Sequence, residues 1–242
     1  MMVPPLTEHL LKRSVGKRPD NRNIYFLYEG KVTEKEFIEG IINRTDFFTN
    51  KEINLKEFFK TGNDQGVTQV EGLVSLAKNF IKDSQFKNGF DKIVIVFDLD
   101  VKNNDQEEIN KILDLIQPAN GDIILAYTNP AIELFLLMTK PTVYTTLIDH
   151  QSELILKNDW VGAPPNERRY VHNLLETTIN VSAKKTNGGV NCLSDGINNA
   201  ITQEKYINHY LDDAAGKLTS NIGYILEKIN NNDFDIQYKK NI

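Results

Sequence analysis

Short apolar runs alternate with longer stretches of helical spacing over the first 140 residues. NIYFLY at 23–28 reads as a first buried strand, broken by Gly30. Thr33 then opens a helix, with Glu36 at the capping-box spacing ahead of Phe37, Ile38 and Ile41. A weaker strand is expected at 52–58 (EINLKEF), followed by the turn-rich TGNDQG. From Val67 to Lys82 the apolar residues Val70, Leu73, Val74, Ala77 and Ile81 recur at helical spacing. KIVIVF at 92–97 is the clearest strand, and DLD follows at once. Residues 105–116 read as a helix starting at Asp105. A fourth strand, DIILAY at 122–127, leads into Thr128-Asn129-Pro130. There Asn129 fits an N-cap and Pro130 the first position of a helix reaching Met138.

Strand and helix in strict alternation predict an α/β fold: a parallel sheet of about four strands with helices on both faces. Beyond Pro141 no strong strand recurs. The segments 141–175, 194–215 and 218–230 read as helical, separated by GAPPNE and KKTNGG. The expected organisation is a basic N-terminal arm (1–20), a sheet domain (21–140) and a mainly helical C-terminal extension (141–242).

Composition narrows the class. With 242 residues, 40% of them hydrophobic, the chain can bury a substantial core. No apolar stretch approaches the ~18–20 residues that cross a bilayer, and the N-terminus lacks the order of a signal peptide. A cytoplasmic protein without membrane association is expected. The lone Cys192 excludes an intramolecular disulfide, and no GxxxxGK[ST] or GxSxG occurs. His9, His150, His172 and His209 share no metal-ligand spacing, and most of them read as surface or packing residues. The net charge of −5 argues against a general nucleic-acid coating protein. Residues 21–140 carry 14 basic against 19 acidic side chains, so the acidic excess lies in the sheet domain. Lys12, Arg13, Lys17, Arg18 and Arg22 read either as a phosphate-contacting arm or as a solvated terminus.

Acidic residues follow the strands. Glu29 lies after the first, Asp98 and Asp100 after the third, and Glu133 in the apolar helix after the fourth. Carboxylates at the carboxyl ends of neighbouring parallel strands are how α/β folds build sites for hard divalent cations and phosphate chemistry. Asp98 and Asp100, two apart, share a face in extended backbone, where two carboxylates repel unless a cation or proton sits between them. Against this stands the reading of DLD as a solvated turn and of Glu29 as a surface residue. Glu133 would then only complement a helix dipole, for ~0.3–1 kcal/mol.

A glutamate after strand one and DxD after strand three resemble the Toprim pattern of topoisomerases, primases and nucleases. The likeness extends further. Glu29-Gly30…Thr33-Glu34, Asp98-Leu99-Asp100 and Thr128-Asn129-Pro130…Glu133-Leu134-Phe135-Leu136-Leu137 resemble the EGxxTE, DxD and SNPxxELWLL segments of the RloB family, over about residues 20–230. Thr128 stands where Ser is usual, and Ala131-Ile132 where Cys-Phe is common. The resemblance implies a Toprim-like sheet and a nuclease in which Glu29, Asp98, Asp100 and Glu133 hold Mg²⁺ or Mn²⁺. A lysine from outside the core, for which Lys185 in AKKTNGG beside Lys184 is the candidate, would stabilise phosphoryl-transfer charge; a solvated loop lysine is the other reading. RloB-like proteins are encoded beside ABC-type ATPases in antiphage and abortive-infection loci. The implied partners are such an ATPase and a nucleic acid, either RNA, including tRNA, or DNA. A homo-oligomer is left open. Two other readings stand beside the nuclease: a non-catalytic scaffold or regulatory subunit of the ATPase, and phosphoryl transfer of the primase kind.

Overall fold

The computed structural model describes residues 21–58, 60, 62–99, 105–119, 121–182 and 189–240. Its centre is a sheet built from β1 (Arg22–Tyr28), β2 (Ile53–Glu57), β3 (Lys92–Asp98), β4 (Ile123–Asn129) and β7 (Thr219–Ser220). The spatial order is β2-β1-β3-β4-β7; all pairs are parallel except the last, which is antiparallel. The α/β architecture expected from the alternation is therefore present, with one more strand than the sequence pattern shows. β7 escapes that pattern because it is two polar residues long. A separate ribbon pairs β5 (Trp160–Val161) with β6 (Arg168–Arg169).

Side chains alternate across the sheet, as the pleat requires. Ile24, Phe26, Tyr28, Val94, Val96, Ile124 and Ala126 enter one core, and Tyr25, Leu27, Ile93, Ile95, Phe97, Leu125 and Tyr127 the other. Burial on both faces explains why these strands read as continuous apolar runs. The second core is closed by α2 (Val70–Ile81) and α3 (Gln106–Ile116), the latter capped by Asp105, whose side chain accepts from Glu107 N and Glu108 N. The first is closed by α1 (Thr33–Arg44) and α4 (Glu133–Leu137). Residues of α5 (Ser152–Lys157), α6 (Tyr170–Ile179), α7 (Ile197–Glu204) and α8 (Ile222–Asn230) enter that same core. Phe37 and Phe135 meet edge to face at 5.8 Å, fixing α1 against α4.

Several sequence expectations change here. Thr33 does not cap α1: it is the first helical residue, and Val32 stands at the N-cap with no side-chain cap. The segments 141–175 and 218–230, read as helical, contain β5, β6 and β7, because these two-residue strands are too short to show a periodicity. Asn129 does not cap a helix. It ends β4, and its Nδ2 donates to Ala214 O (3.0 Å) and Lys217 O (2.9 Å); the helix starts at Glu133. Arg22 is no free arm residue either. Its guanidinium lies 4.4 Å from the Phe234 ring centroid and 4.9 Å from that of Phe90, and Nη1 donates to Asn232 Oδ1. Residues 1–20 lie outside the described residues. Among the described residues no helix is long and apolar enough to cross a membrane.

Candidate active site

The chain leaves β1 towards β2 on one side and returns to β3 on the other, so the strand order reverses between β1 and β3. In open parallel sheets the crevice at the carboxyl ends of such a pair is where ligands bind. Glu29 and Asp98 stand on either side of it. Glu29 N donates to Val96 O (2.9 Å), extending the ladder, and Glu29 Oε2 accepts from Asp98 N at 2.9 Å. Asp98 Oδ1 accepts from Thr128 Oγ1 (2.8 Å) and from Ile132 N (2.9 Å), which ties β3 to β4 and to the approach of α4.

Two more acids complete the cluster. Glu133, first residue of α4, lines an open cleft of about 340 Å³ with Asp98, Glu34, Gly30, Lys31 and Ile132. Glu34, in the first turn of α1, is only 5% exposed. Gly30 makes that burial sterically feasible: a Cβ there would lie 2.4 Å from Glu34 Oε2, and Gly30 N donates to Glu34 Oε1 at 3.3 Å.

The electrostatics are strained. Burial, and then the charges of Glu34, Glu133 and Glu29, push the Asp98 carboxyl well above the ordinary carboxylate range. Burial likewise raises Glu34, with Glu133 adding to it and backbone N–H bonds opposing it. The buried acids at the other end of the sheet are treated differently. Asp91 accepts from Asn23 N (2.9 Å) and Lys87 N (3.1 Å), while Asp122 accepts from Gly89 N and from Lys92 Nζ at 2.8 Å. Those acids are met by amide N–H groups and, at Asp122, by an ammonium; at the carboxyl end the like charges of Glu34, Glu133 and Glu29 act on Asp98.

Of the residues expected from sequence, Glu29, Asp98 and Glu133 come together. Asp100, Lys184 and Lys185 lie outside the described residues. Three others join them. Glu34 belongs to the same TE pair that the sequence shows, five residues after Glu29, and the signal for it is a glycine placed to admit its carboxylate. His172 is buried, with Nδ1 3.1 Å from Glu133 Oε1 and Nε2 3.4 Å from Glu176 Oε1; it is neither a surface residue nor merely a packing one. Ligand spacing gives no hint of it, because its partner lies 39 residues away. Lys60 donates to Val67 O (2.7 Å) and Glu29 O (3.4 Å). Burial lowers the Lys60 ammonium from its usual range, and Glu29 and Glu34 oppose that shift.

Four carboxylates are a hard, all-oxygen donor set suited to Mg²⁺ or Mn²⁺, and their mutual repulsion is what such an ion relieves. Among the described residues no three His, Cys, Asp or Glu side chains stand at the spacing of one ion's ligands. The carboxylates of Glu29 and Asp98 are turned onto backbone N–H groups instead. The donor chemistry fits; a shared ion requires Glu29 or Asp98 to turn towards the cleft.

The profile of the RloB-like protein family matches residues 24–229. The chain belongs to the RloB-like family. No curated protein and no solved structure matches it. In this RloB-like chain the matched region runs from β1 to the last turn of α8, and so includes every acid of the cluster together with His172 and Lys60.

Proposed function

We propose that this RloB-like chain is a Toprim-type, Mg²⁺-dependent nuclease that cleaves phosphodiester bonds in RNA, including tRNA, or in DNA. The observation carrying this reading is the convergence of Glu29, Glu34, Asp98 and Glu133 at the β1/β3 switch point, where burial and like charge disfavour the ionised forms of Asp98 and Glu34.

Asp98, Glu133 and Glu34 would hold the ion, with Glu29 as a further ligand or as general base. A divalent cation held by these residues would supply neutralisation of phosphate charge and acidification of a water molecule. The chain's own contribution is placement. Thr128 and the Ile132 N–H fix Asp98 at one oxygen, and Asp98 N holds Glu29 at the strand ends. The Phe37–Phe135 contact keeps the helices bearing Glu34 and Glu133 in fixed relation.

Membership of the RloB-like family supports a place in antiphage defence, with an ABC-type ATPase sensing infection and this chain acting as effector. The test incubates total RNA and plasmid DNA with wild type, Glu29→Ala and Asp98→Ala, with and without Mn²⁺ or Mg²⁺, alone and with the neighbouring ATPase. Metal-dependent fragments from wild type only are expected. Cleavage surviving both substitutions would sink the mechanism; no cleavage even with the activated partner would favour the scaffold reading.

A further inference from the structure

A second cavity, of about 230 Å³, adjoins the acidic cleft, and its lining includes Gly30, Lys31, Lys35, Glu57, Phe58 and Lys60. Gly30 and Lys31 line both, so the two compartments share one wall. Their charges are opposite: three lysines against Glu57 on one side, carboxylates on the other. Lys35 is bound to Glu57 at 2.8 Å, while Lys31 is exposed. Lys60 is pinned at the rim by the carbonyls of Val67 and Glu29. An ammonium has three N–H donors, so two carbonyl bonds leave one for a ligand.

The arrangement answers a difficulty in the nuclease reading. A chain of net charge −5 with four clustered acids repels a polyanion, so a local positive region is one source of substrate affinity beside a bound cation or a partner. We infer that the Lys31–Lys35–Lys60 compartment is a phosphate-binding subsite, holding the nucleic-acid phosphodiester next to the one presented to the carboxylates. This rests on the nuclease reading and deepens it: the subsite places the strand across the Gly30–Lys31 wall, with one phosphate on each side. Lysines supply point charges without base recognition, so binding here is independent of sequence and sensitive to salt.

The test measures anisotropy of a short fluorescein-labelled oligoribonucleotide and of its deoxy counterpart over a salt series. It uses Mn²⁺ and a Glu29→Ala background to prevent cleavage. Lys31→Ala and Lys60→Ala are each expected to weaken binding roughly fivefold and to reduce the slope of log affinity against log salt by about 0.7. Lys60→Arg should keep the slope. The Mn²⁺-induced rise in melting temperature should match that of the Glu29→Ala parent in every lysine variant, because no further acid is changed. If Lys60→Ala fails to fold, Lys31→Ala, an exposed position, decides alone. Binding by the parent with unaltered affinity and slope in the alanine variants overturns the subsite and leaves the nuclease reading standing. Failure of the parent to bind either oligonucleotide overturns the subsite, and cleavage by wild type then tells whether the nuclease reading falls with it.

Discussion

His172 holds Glu133 from the buried side of the cleft, its Nδ1 3.1 Å from the Glu133 Oε1. The imidazole's other nitrogen faces Glu176, which is itself bonded by Arg168 Nε at 2.7 Å. Burial opposes it, but hydrogen bonds from Ser182 and Arg168, with the nearby His172, hold the Glu176 carboxyl below its usual range. A relay of four side chains thus runs from β6 and α6 to the rim of the site. Partners that orient a metal-binding carboxylate typically matter by 10–100-fold in affinity or activity. His172→Ala should lower cleavage by about that factor and raise the Mn²⁺ concentration needed for half-maximal rate. His172→Gln, which keeps a donor, should recover part of the loss. An unchanged Mn²⁺ requirement in His172→Ala would reduce the residue to packing.

Gly30 faces Glu34 so closely that any side chain must displace the carboxylate. Gly30→Ala is therefore expected to abolish most cleavage while leaving the two cores, to which Gly30 does not belong, intact. A melting temperature within a few degrees of wild type, paired with activity near that of Glu34→Ala, would bear this out. Wild-type activity in Gly30→Ala would show that Glu34 has no part in the chemistry.

The repulsion among Asp98, Glu34, Glu133 and Glu29 is a cost that an ion removes. In chelator, Asp98→Asn should melt higher than wild type, because it deletes a buried like charge while keeping an acceptor for Thr128 and Ile132 N. Mn²⁺ should raise the wild-type melting temperature in a concentration-dependent way and barely move Asp98→Asn. Equal Mn²⁺ stabilisation of both proteins would show that the ion binds elsewhere.

The sheet was legible because buried parallel strands must be apolar on both faces, and NIYFLY, KIVIVF and DIILAY meet that demand. α2 and α3 were legible through their amphipathic spacing. What escaped depends on contacts distant in sequence. Asn129-Pro130 has the local signature of a helix start, yet the backbone of residues 214–217 takes the Asn129 amide and the helix waits until Glu133. β7 is too short for any periodicity and pairs with the edge of β4 across about 90 residues of chain. Glu29, Asp98 and Glu133 were legible as strand-end acids. Glu34 entered only through the EGxxTE resemblance, and His172 stood among histidines without ligand spacing.

Glu204 sets a pH dependence remote from the site. Its buried carboxyl accepts from Ser220 Oγ, Gly223 N and Tyr224 N at the start of α8, and burial nonetheless raises it from 4.5 to about 7. A carboxyl whose folded value lies above its unfolded one favours the folded state when protonated. Its contribution is complete below pH 4.5 and is lost as pH rises through about 7. The loss is on the order of 3 kcal/mol. Glu204→Gln should remove this part of the slope in urea midpoints across that window. Slope is the readout, since a glutamine amide turns an N–H towards a backbone donor and lowers stability at every pH. Parallel slopes for the two proteins would refute the assignment.

Asn221 does for the edge of β4 what a longer strand would do. Its Oδ1 accepts from Tyr127 N (2.8 Å), its Nδ2 donates to Leu125 O (2.9 Å), and its own N donates to Tyr127 O (3.2 Å). One side-chain amide thus continues the ladder where β7 stops, and Tyr238 Oη accepts from Leu125 N beside it. Asn221→Ala would strand a buried donor and a buried acceptor at once, at a cost on the order of 2–4 kcal/mol. Asn221→Asp should cost a comparable amount, because a carboxylate serves Tyr127 N but repels the Leu125 carbonyl. The urea midpoint measures both. A midpoint within error of wild type for Asn221→Ala would mean that water replaces the amide, and that the edge of β4 is open to solvent.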